Sequence, residues 1–243
     1  GNIMKNIILF FLCGLVLKAQ TGENPNNSPL NILAKIKIQD LEKPPTTFDT
    51  SWVDSLHLSL PCNNAPVPER TMRLPNAPRD YRSGTHRGID FFANWGTPVH
   101  TVAPGIVVRA DHHFKEVPPD FREILLHTSA RMGHTPSDIF SSVLLGQAIF
   151  IDHGFDLVPG FRVITIYAHL SGIEGNIIPG ERVVSGALIG HTGNTGMRES
   201  TLGSKEGSHL HWEMILMKNE REIYLGQGMP NPALYEMLTR IFD

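Results

Sequence analysis

The chain has 243 residues, 41% of them hydrophobic, which is typical of a globular protein with one domain or two small ones. Its 21 basic and 24 acidic residues give a formal net charge of -3. This near balance excludes the strongly basic surface of a nucleic-acid-binding protein, so no nucleic-acid partner is expected and substrate binding must depend on a local site.

Residues 1–20 have the pattern of a signal peptide. Lys5 precedes an unbroken apolar run from Ile7 to Leu17, and Ala19 supplies a small residue for cleavage. The run is shorter than the roughly 20 apolar residues that span a bilayer, so export is favoured over a retained anchor. We expect a periplasmic or extracellular protein of the cell envelope, without stable membrane insertion after signal removal.

The cysteines predict no internal disulfide in the exported protein. Cys13 leaves with the signal peptide, and Cys62 then stands alone. A lone cysteine of this kind is typical of a small buried residue, so Cys62 is not a candidate nucleophile.

Residues 21–78 are predicted to form an N-terminal linker or wrapping segment, because they are rich in Asn, Pro and Thr. The segment lies upstream of the first candidate site residue, His86. From this position follows the hypothesis that the segment lies across the candidate site and keeps the protein latent.

Residues 79–243 contain short alternating stretches separated by turns, which predict a mostly β domain. A helical insertion interrupts this pattern at about 112–146. Its first helix is predicted from Asp120 to Arg131, and its second has Thr135 as cap and ends at Gly146.

A C-terminal helix is predicted over about 231–242. Asn231 is its expected cap, and Pro232 its first residue. Its apolar positions share one side and are expected to pack outside the sheet: Leu234, Met237, Leu238 and Ile241.

Near the C-terminus, His209 and His211 stand one residue apart in the apolar run Ser208–Met217. In a strand, residues at this spacing face the same way, so both imidazoles would enter one site. The alternative is a pair of ordinary polar residues on a solvated strand face.

Two further stretches offer partners for this pair. His86 and Asp90 lie four residues apart and reach one ion only if the chain turns at Gly88. His169 ends the predicted strand Arg162–Leu170, on the same face as Thr165 and Tyr167 and beside a polar surface. Six further histidines are left out of the predicted site. His100 lacks a partner at useful spacing and is predicted to be structural, and His153 belongs to a predicted turn. The irregular spacing of the other four favours solvent-exposed or core residues over a second metal site: His112, His113, His127 and His134.

Two histidines and one aspartate leave a tetrahedral zinc ion one open position, the pattern of a catalytic rather than a structural zinc. The chain carries in order an HxxxD element at His86, a strand that ends in His169, and an HxH element at His209. In this order the elements resemble the lysostaphin/LytM-type zinc metallopeptidases, over roughly Arg79 to Met217.

The resemblance implies a role for each site residue. His86, Asp90 and His211 would bind one Zn2+ ion, while His169 and His209 would act as general base and transition-state stabiliser, in an order left open. Glu213 is a candidate to orient His211, with a purely structural role as the alternative.

The resemblance also implies a fold and a function. The fold is mostly β, an antiparallel β-sheet groove of the LytM-like, duplicated-hybrid-motif type, with a helical insertion and a C-terminal helix. The function is that of an exported zinc metalloendopeptidase that hydrolyses peptide bonds in peptidoglycan through a zinc-activated water.

Two other classes of function were weighed. One is a non-enzymatic LytM-like regulator or scaffold for other cell-wall hydrolases, and the other is a simple zinc-binding or wall-binding module. Relatives that act as regulators have lost ligands, and no ligand is missing here, which favours the enzyme.

The sequence departs from the family pattern at residues 197–207, an additional loop predicted to border the groove.

Overall fold

The structure is a computed structural model and describes residues 47–243. The predicted signal peptide, residues 1–20, and the first part of the segment predicted over residues 21–78 lie outside the described residues. Within residues 47–243, no helix has the length and apolarity needed to cross a membrane.

The described chain contains twelve strands: β1 (Pro78–Arg79), β2 (Gly84–Thr85), β3 (Ile89–Phe92), β4 (Pro98–His100), β5 (Gly105–Ala110), β6 (Ile149–Asp152), β7 (Arg162–Ala168), β8 (Leu170–Ile173), β9 (Arg182–Val183), β10 (Leu188–Thr192), β11 (His209–Lys218) and β12 (Arg221–Tyr224). Its α-helices are α1 (Pro119–Met132), α2 (Ser137–Ile139), α3 (Arg198–Thr201) and α4 (Ala233–Ile241). A π-helical turn, Phe140–Leu144, continues α2, and 3-10 turns lie at Thr50–Val53, Thr71–Arg73 and Asp80–Arg82.

The strands pair only in antiparallel fashion within the described residues. The largest sheet has the order β12-β11-β7-β6-β5-β9, with β3 also paired to β11. A second sheet has the order β4-β10-β8, and β1 pairs with β2. The predicted fold class, mostly antiparallel β, is confirmed.

Strand β11 separates two environments because its side chains alternate between the two faces of the sheet. Leu210, Trp212 and Met214 are buried in the main hydrophobic core. The opposite face carries His209 and His211 at one end of the strand. At the other end of that face, apolar residues of β11 and β7 pack in a second cluster with the insertion: Ile215, Ile166, Ala168, Leu145 and Phe140.

The described part of the N-terminal segment contributes to the main core. Phe48, Val53 and Leu74 are buried in the same cluster as Trp212. Cys62 is also buried there, and burial raises the pKa of its thiol to about 12, so no thiolate is available at neutral pH. Residues 48–74 are thus packed into the domain, whereas the boundary at residue 79 and the latency role stay predictions.

The helical insertion differs from its prediction in its second helix. The first helix, α1, ends at Gly133 in a left-handed conformation, near the expected position. The prediction that Thr135 caps the next helix is wrong, because its hydroxyl donates to the carbonyl of Arg82, 2.7 Å away. Helix α2 therefore begins without a side-chain cap and passes into the π-helical turn.

The C-terminal helix α4 begins later than predicted. It spans Ala233–Ile241, and Pro232 precedes it. No side chain caps it, so the assignment of Asn231 as cap is wrong. The predicted apolar side of the helix is buried.

His153 is a buried structural histidine in the main core. Its Nδ1–H donates to the carbonyl of Pro104 at 2.7 Å, and its Nε2 accepts from the hydroxyl of Thr165 at 2.7 Å. Both contacts suit the neutral imidazole, and burial lowers the pKa of His153 below its usual value.

We predict that Gly146→Ala destabilises the protein more than Gly133→Ala. Both glycines have positive φ, which costs a residue with a side chain about 1–2 kcal/mol. A Cβ at Gly146 would also lie 2.2 Å from the carbonyl oxygen of Thr195, whereas one at Gly133 would meet nothing within 4 Å. Steric crowding should therefore add about 1–3 kcal/mol at Gly146, measured by denaturant unfolding. Equal losses in the two variants would contradict the close packing of Gly146.

We predict that His153 lowers stability in mild acid. Because its folded-state pKa lies below the usual 6.5, the unfolded chain protonates first as the pH falls below 6.5, and stability is lost in that direction. This group contributes at most about 1.4 kcal/mol per pH unit to that slope. His153→Gln should make the pH dependence of the unfolding free energy shallower between pH 6.5 and 5.5, and an unchanged slope would refute the assignment.

Candidate metal centre

Asp90 and His211 are brought together by strand pairing. In the antiparallel ladder between β3 and β11, Asp90 stands directly opposite His211, and Ile89 opposite Trp212. Directly paired residues share one face and have Cβ atoms about 5 Å apart. The register that buries Trp212 in the core therefore also directs Asp90 and His211 to the opposite face.

His86 reaches this pair through the bend at Gly88. The prediction of a bend there is confirmed, but the residue does not use a left-handed φ. Glycine is needed because a Cβ would lie 2.4 Å from the carbonyl oxygen of Trp212 and 3.0 Å from Cε1 of His211. The HxxxD element can thus pack directly on β11.

Three ligand atoms converge in the centre: His86 Nε2, Asp90 Oδ1 and His211 Nδ1. Asp90 Oδ1 lies 2.9 Å from each nitrogen, and the two nitrogens are 3.1 Å apart. Ligands about 2.0–2.1 Å from a tetrahedral zinc ion lie roughly 3.3 Å from each other, so a small expansion fits the ion.

The hydrogen bonds behind the ligand atoms select the tautomers. His86 Nδ1–H donates to the carbonyl of Leu74 at 2.8 Å, and His211 Nε2–H donates to Glu213 Oε1 at 2.8 Å. In the neutral imidazoles, the lone pairs of His86 Nε2 and His211 Nδ1 then point at the Asp90 carboxylate. Three acceptors directed at one point are stabilised by a proton or a metal cation between them, and the residues present fit zinc.

The pKa shifts in the centre also show that positive charge is favoured there. Burial opposes protonation of His211, but its hydrogen bonds to Asp90 and Glu213 outweigh burial and raise its pKa to about 9. Glu213 is fully buried, yet His211 and Arg87 lower its pKa to about 2. Arg87 donates to Glu213 Oε2 at 2.8 Å, so Glu213 is held between a guanidinium and an imidazole.

His169 reaches the centre by a break in strand geometry. In a regular strand His169 would face the core, because Tyr167, two residues earlier and on the same face, pairs with the core residue Trp212. The predicted continuation of the face of Thr165 and Tyr167 is therefore wrong: that face belongs to the core. A left-handed backbone at His169, with φ of 60°, ends β7 and places its ring with those of His209 and His211.

The two additional histidines present Nε2 to the centre. His169 Nδ1–H donates to the carbonyl of Thr195 at 2.8 Å, and His209 Nδ1–H to that of Gly207 at 2.7 Å. Burial lowers the pKa of His169 well below its usual value, with His209 and His211 adding to the effect. His209 Nε2 is 3.5 Å from Asp90 Oδ1.

The five predicted site residues line one cavity of about 380 Å³: His86, Asp90, His169, His209 and His211. Met197, Arg198 and Glu199 also line it, which confirms that the 197–207 loop borders the site. Within residues 47–78, none lines this cavity.

The insertion holds the turn that orients His169. Glu116 Oε1 accepts from the backbone N–H of Gly196 at 2.8 Å, and Arg122 Nε donates to the carbonyl of Gly196 at 3.1 Å. The adjacent carbonyl of Thr195 is the acceptor for His169. The sequence analysis missed Glu116, Arg122 and the supporting Arg87, since no short pattern links them to the histidines.

Residues 129–224 match the model of peptidase family M23. This part of the chain is similar to peptidase family M23. The resemblance to the lysostaphin/LytM-type peptidases is thereby confirmed at the level of the family. The matched M23 region contains His169, His209 and His211, whereas His86 and Asp90 precede it and join the site through the fold.

Several solved structures are similar to this chain, each with a TM-score below 0.5, so they carry no argument about the site. One, from Pseudomonas aeruginosa and described as a peptidase M23, is 20% identical with a TM-score of 0.42, covering 90% of this chain and 65% of that one. A zinc-containing peptidase from Vibrio cholerae is 20% identical with a TM-score of 0.35, covering 74% and 39%. The catalytic domain of lysostaphin from Staphylococcus simulans is 21% identical with a TM-score of 0.36, covering 77% and 98%.

The chain thus spans 65% and 39% of the lengths of the first two of these proteins. The comparison with curated proteins gives no match.

We predict that Glu213→Gln weakens zinc binding about 10- to 100-fold, because an amide cannot accept from His211 and Arg87 as a carboxylate does. Affinity is measured by competition with a chelator. Glu222→Gln is the matched control, since Glu222 is exposed on neighbouring β12. Equal affinities in the two variants would show that Glu213 has only a structural role.

Proposed function

We propose that this M23 protein is an exported zinc-dependent endopeptidase that hydrolyses peptide bonds in peptidoglycan. The observation that carries the proposal is the convergence of His86 Nε2, Asp90 Oδ1 and His211 Nδ1 beside two more imidazoles in one cavity. In the proposal, these three residues bind the zinc ion, and His169 and His209 carry out proton transfer and charge stabilisation.

Zinc, when bound, lowers the pKa of a coordinated water to roughly 7 and polarises a carbonyl group. Asp90 and the two histidine ligands supply a charge of only -1, so the ion keeps much of its positive charge. His86, Asp90 and His211 would hold the ion through three ligand atoms, which would leave room for water or substrate beside it.

We assign the general base to His169. Its Nδ1–H is bound by Thr195, so Nε2 carries the free lone pair, and its lowered pKa keeps the ring neutral before reaction. A positioned imidazole of this kind contributes about 10²- to 10⁴-fold to the rate by proton transfer.

We assign transition-state stabilisation to His209. Its Nε2 lies 3.5 Å from Asp90 Oδ1, so this edge of the ring faces the place where negative charge would develop. Its Nδ1–H is held by Gly207, so the ring presents a fixed edge to the cavity.

The peptidoglycan substrate and export rest on other observations. The substrate follows from the family resemblance and suits a cavity that opens beside the paired strands. Export follows from the pattern of residues 1–20. The alternative, a non-enzymatic regulator or scaffold, is disfavoured because the complete ligand set is present in one place.

We predict different losses for His211→Ala and His169→Ala. His211→Ala should lose both bound zinc and activity, because it removes a ligand. His169→Ala should retain zinc while its activity falls about 10²- to 10⁴-fold. Zinc is measured by metal analysis, and activity as new amino groups released from purified peptidoglycan.

His127→Ala is the control, since this exposed histidine of α1 lies away from the cavity. A wild-type protein that binds zinc but releases no amino groups would reject the enzyme and favour the regulator. Loss of zinc from His169→Ala would instead overturn the division between ligand and base.

A further inference from the structure

The candidate catalytic cavity is lined by guanidinium groups as well as imidazoles. Four arginines contribute to its wall: Arg79, Arg82, Arg122 and Arg198. A wall of this composition favours an anionic ligand, and the hydrogen bonds of each arginine show which of them is available to bind it.

Two of these arginines are committed to protein partners, and a third is exposed to solvent. Arg79 donates to Asp90 Oδ2 at 3.4 Å and to a backbone carbonyl. Arg82 donates to Thr135 Oγ1 and to a backbone carbonyl. Arg198 pairs with Glu123 through Nε alone, at 3.5 Å, and its side chain is 59% exposed, so its terminal nitrogens stay hydrated.

Arg122 is committed at one nitrogen only. Its Nε donates to the carbonyl of Gly196, while its two terminal nitrogens have no acceptor anywhere in residues 47–243. Glu199 and Glu116 attract the guanidinium electrostatically, but neither forms an ion pair with Arg122 within 4.0 Å. The guanidinium is half-buried and stays cationic, so it is a partly desolvated charge with free donors.

We propose that Arg122 is a carboxylate-binding subsite of the catalytic cavity, and that the preferred substrate is a peptide with a free carboxylate close to the scissile bond. The subsite rests on the proposed function. The two free terminal nitrogens match the two oxygens of a carboxylate, and such charge-assisted pairs are the stronger hydrogen bonds in proteins. Because Nε is fixed by Gly196, little side-chain freedom is lost on binding.

The subsite also gives the helical insertion a function in recognition. Helix α1 brings Arg122 to a wall whose histidines come from the sheet. A carboxylate bound there belongs to the same ligand that reaches His169 and His211. Two sources share this chemistry: the C-terminal carboxylate of a stem peptide and a carboxylate on one of its side chains.

The test uses the full-length zinc-loaded chain carrying His169→Ala, which prevents turnover. Its ligands are a purified stem-peptide fragment of peptidoglycan, the same fragment amidated at the C-terminal carboxylate, and the fragment amidated at the side-chain carboxylate. Binding is measured by calorimetry. We expect one of the two amidations to weaken binding about tenfold or more, and that amidation identifies the source of the carboxylate.

Adding Arg122→Ala should make all three ligands bind alike, whereas Arg122→Lys, which keeps the charge and loses the fork, should retain part of the preference. Arg198→Ala is the matched control, because it removes another guanidinium from the same wall and should leave the preference intact. Zinc content and thermal unfolding are measured for each variant, and Arg122→Gln replaces Arg122→Ala if the latter fails to fold.

Equal binding of the three ligands to the parent would overturn the subsite without any Arg122 variant. A preference that survives the loss of Arg122 would also overturn it, since zinc itself would then be binding the carboxylate. Failure of the proposed function is separable from both results: wild type would release no amino groups from peptidoglycan, while the binding preference would persist.

Discussion

Three lone pairs directed at one point are the constraint on which this structure depends. The imidazole of His86, the imidazole of His211 and the carboxylate of Asp90 are each fixed from behind or by strand pairing, so none can turn away. The hydrophobic core protects this arrangement. A slip of one residue between β3 and β11 would turn His211 into the core and Trp212 out of it, so the burial of Trp212 also maintains the candidate metal centre.

The insertion and the sheet contribute different parts of the same site. The sheet supplies the converging side chains, while the insertion fixes the Gly196 peptide from both sides and thereby the carbonyl that orients His169. Phe140 of the insertion adds a second contact, since its ring lies under the guanidinium of Arg87, which holds Glu213. A local addition to the fold therefore supports two of the histidines.

The candidate site could be predicted where it depends on local pattern. The period-two spacing of His209 and His211 and the HxxxD element were both readable from the sequence, because strand geometry relates such neighbours directly. The face of His169 was not readable, since its side chain is directed by one left-handed residue that interrupts the alternation. Arg87 and Arg122 were missed because their partners lie far away in sequence, at Glu213 and Gly196.

The fold followed the same division. The antiparallel β class and the first insertion helix were predicted from periodicity, whereas the cap at Thr135 was wrong because a tertiary contact with Arg82 takes its hydroxyl. The composition of residues 48–74 resembled a linker, although a few well-spaced apolar residues suffice to bury that stretch. Such packing depends on long-range contacts that composition does not record.

The hydrogen bond from His86 to Leu74 joins the wrapping segment to the metal centre. An ion at this site would bind only when His86 is correctly oriented, and the contact with Leu74 helps to orient it. By thermodynamic linkage, ion binding would then stabilise the packing of residues 48–74 on the domain by the same free energy that this packing adds to ion binding. Docking of this segment and binding of an ion at the candidate centre would therefore reinforce each other. Hydrogen exchange of the backbone amides around Leu74 would therefore report on metal occupancy, although Leu74 lies 12 residues before the first candidate ligand, His86.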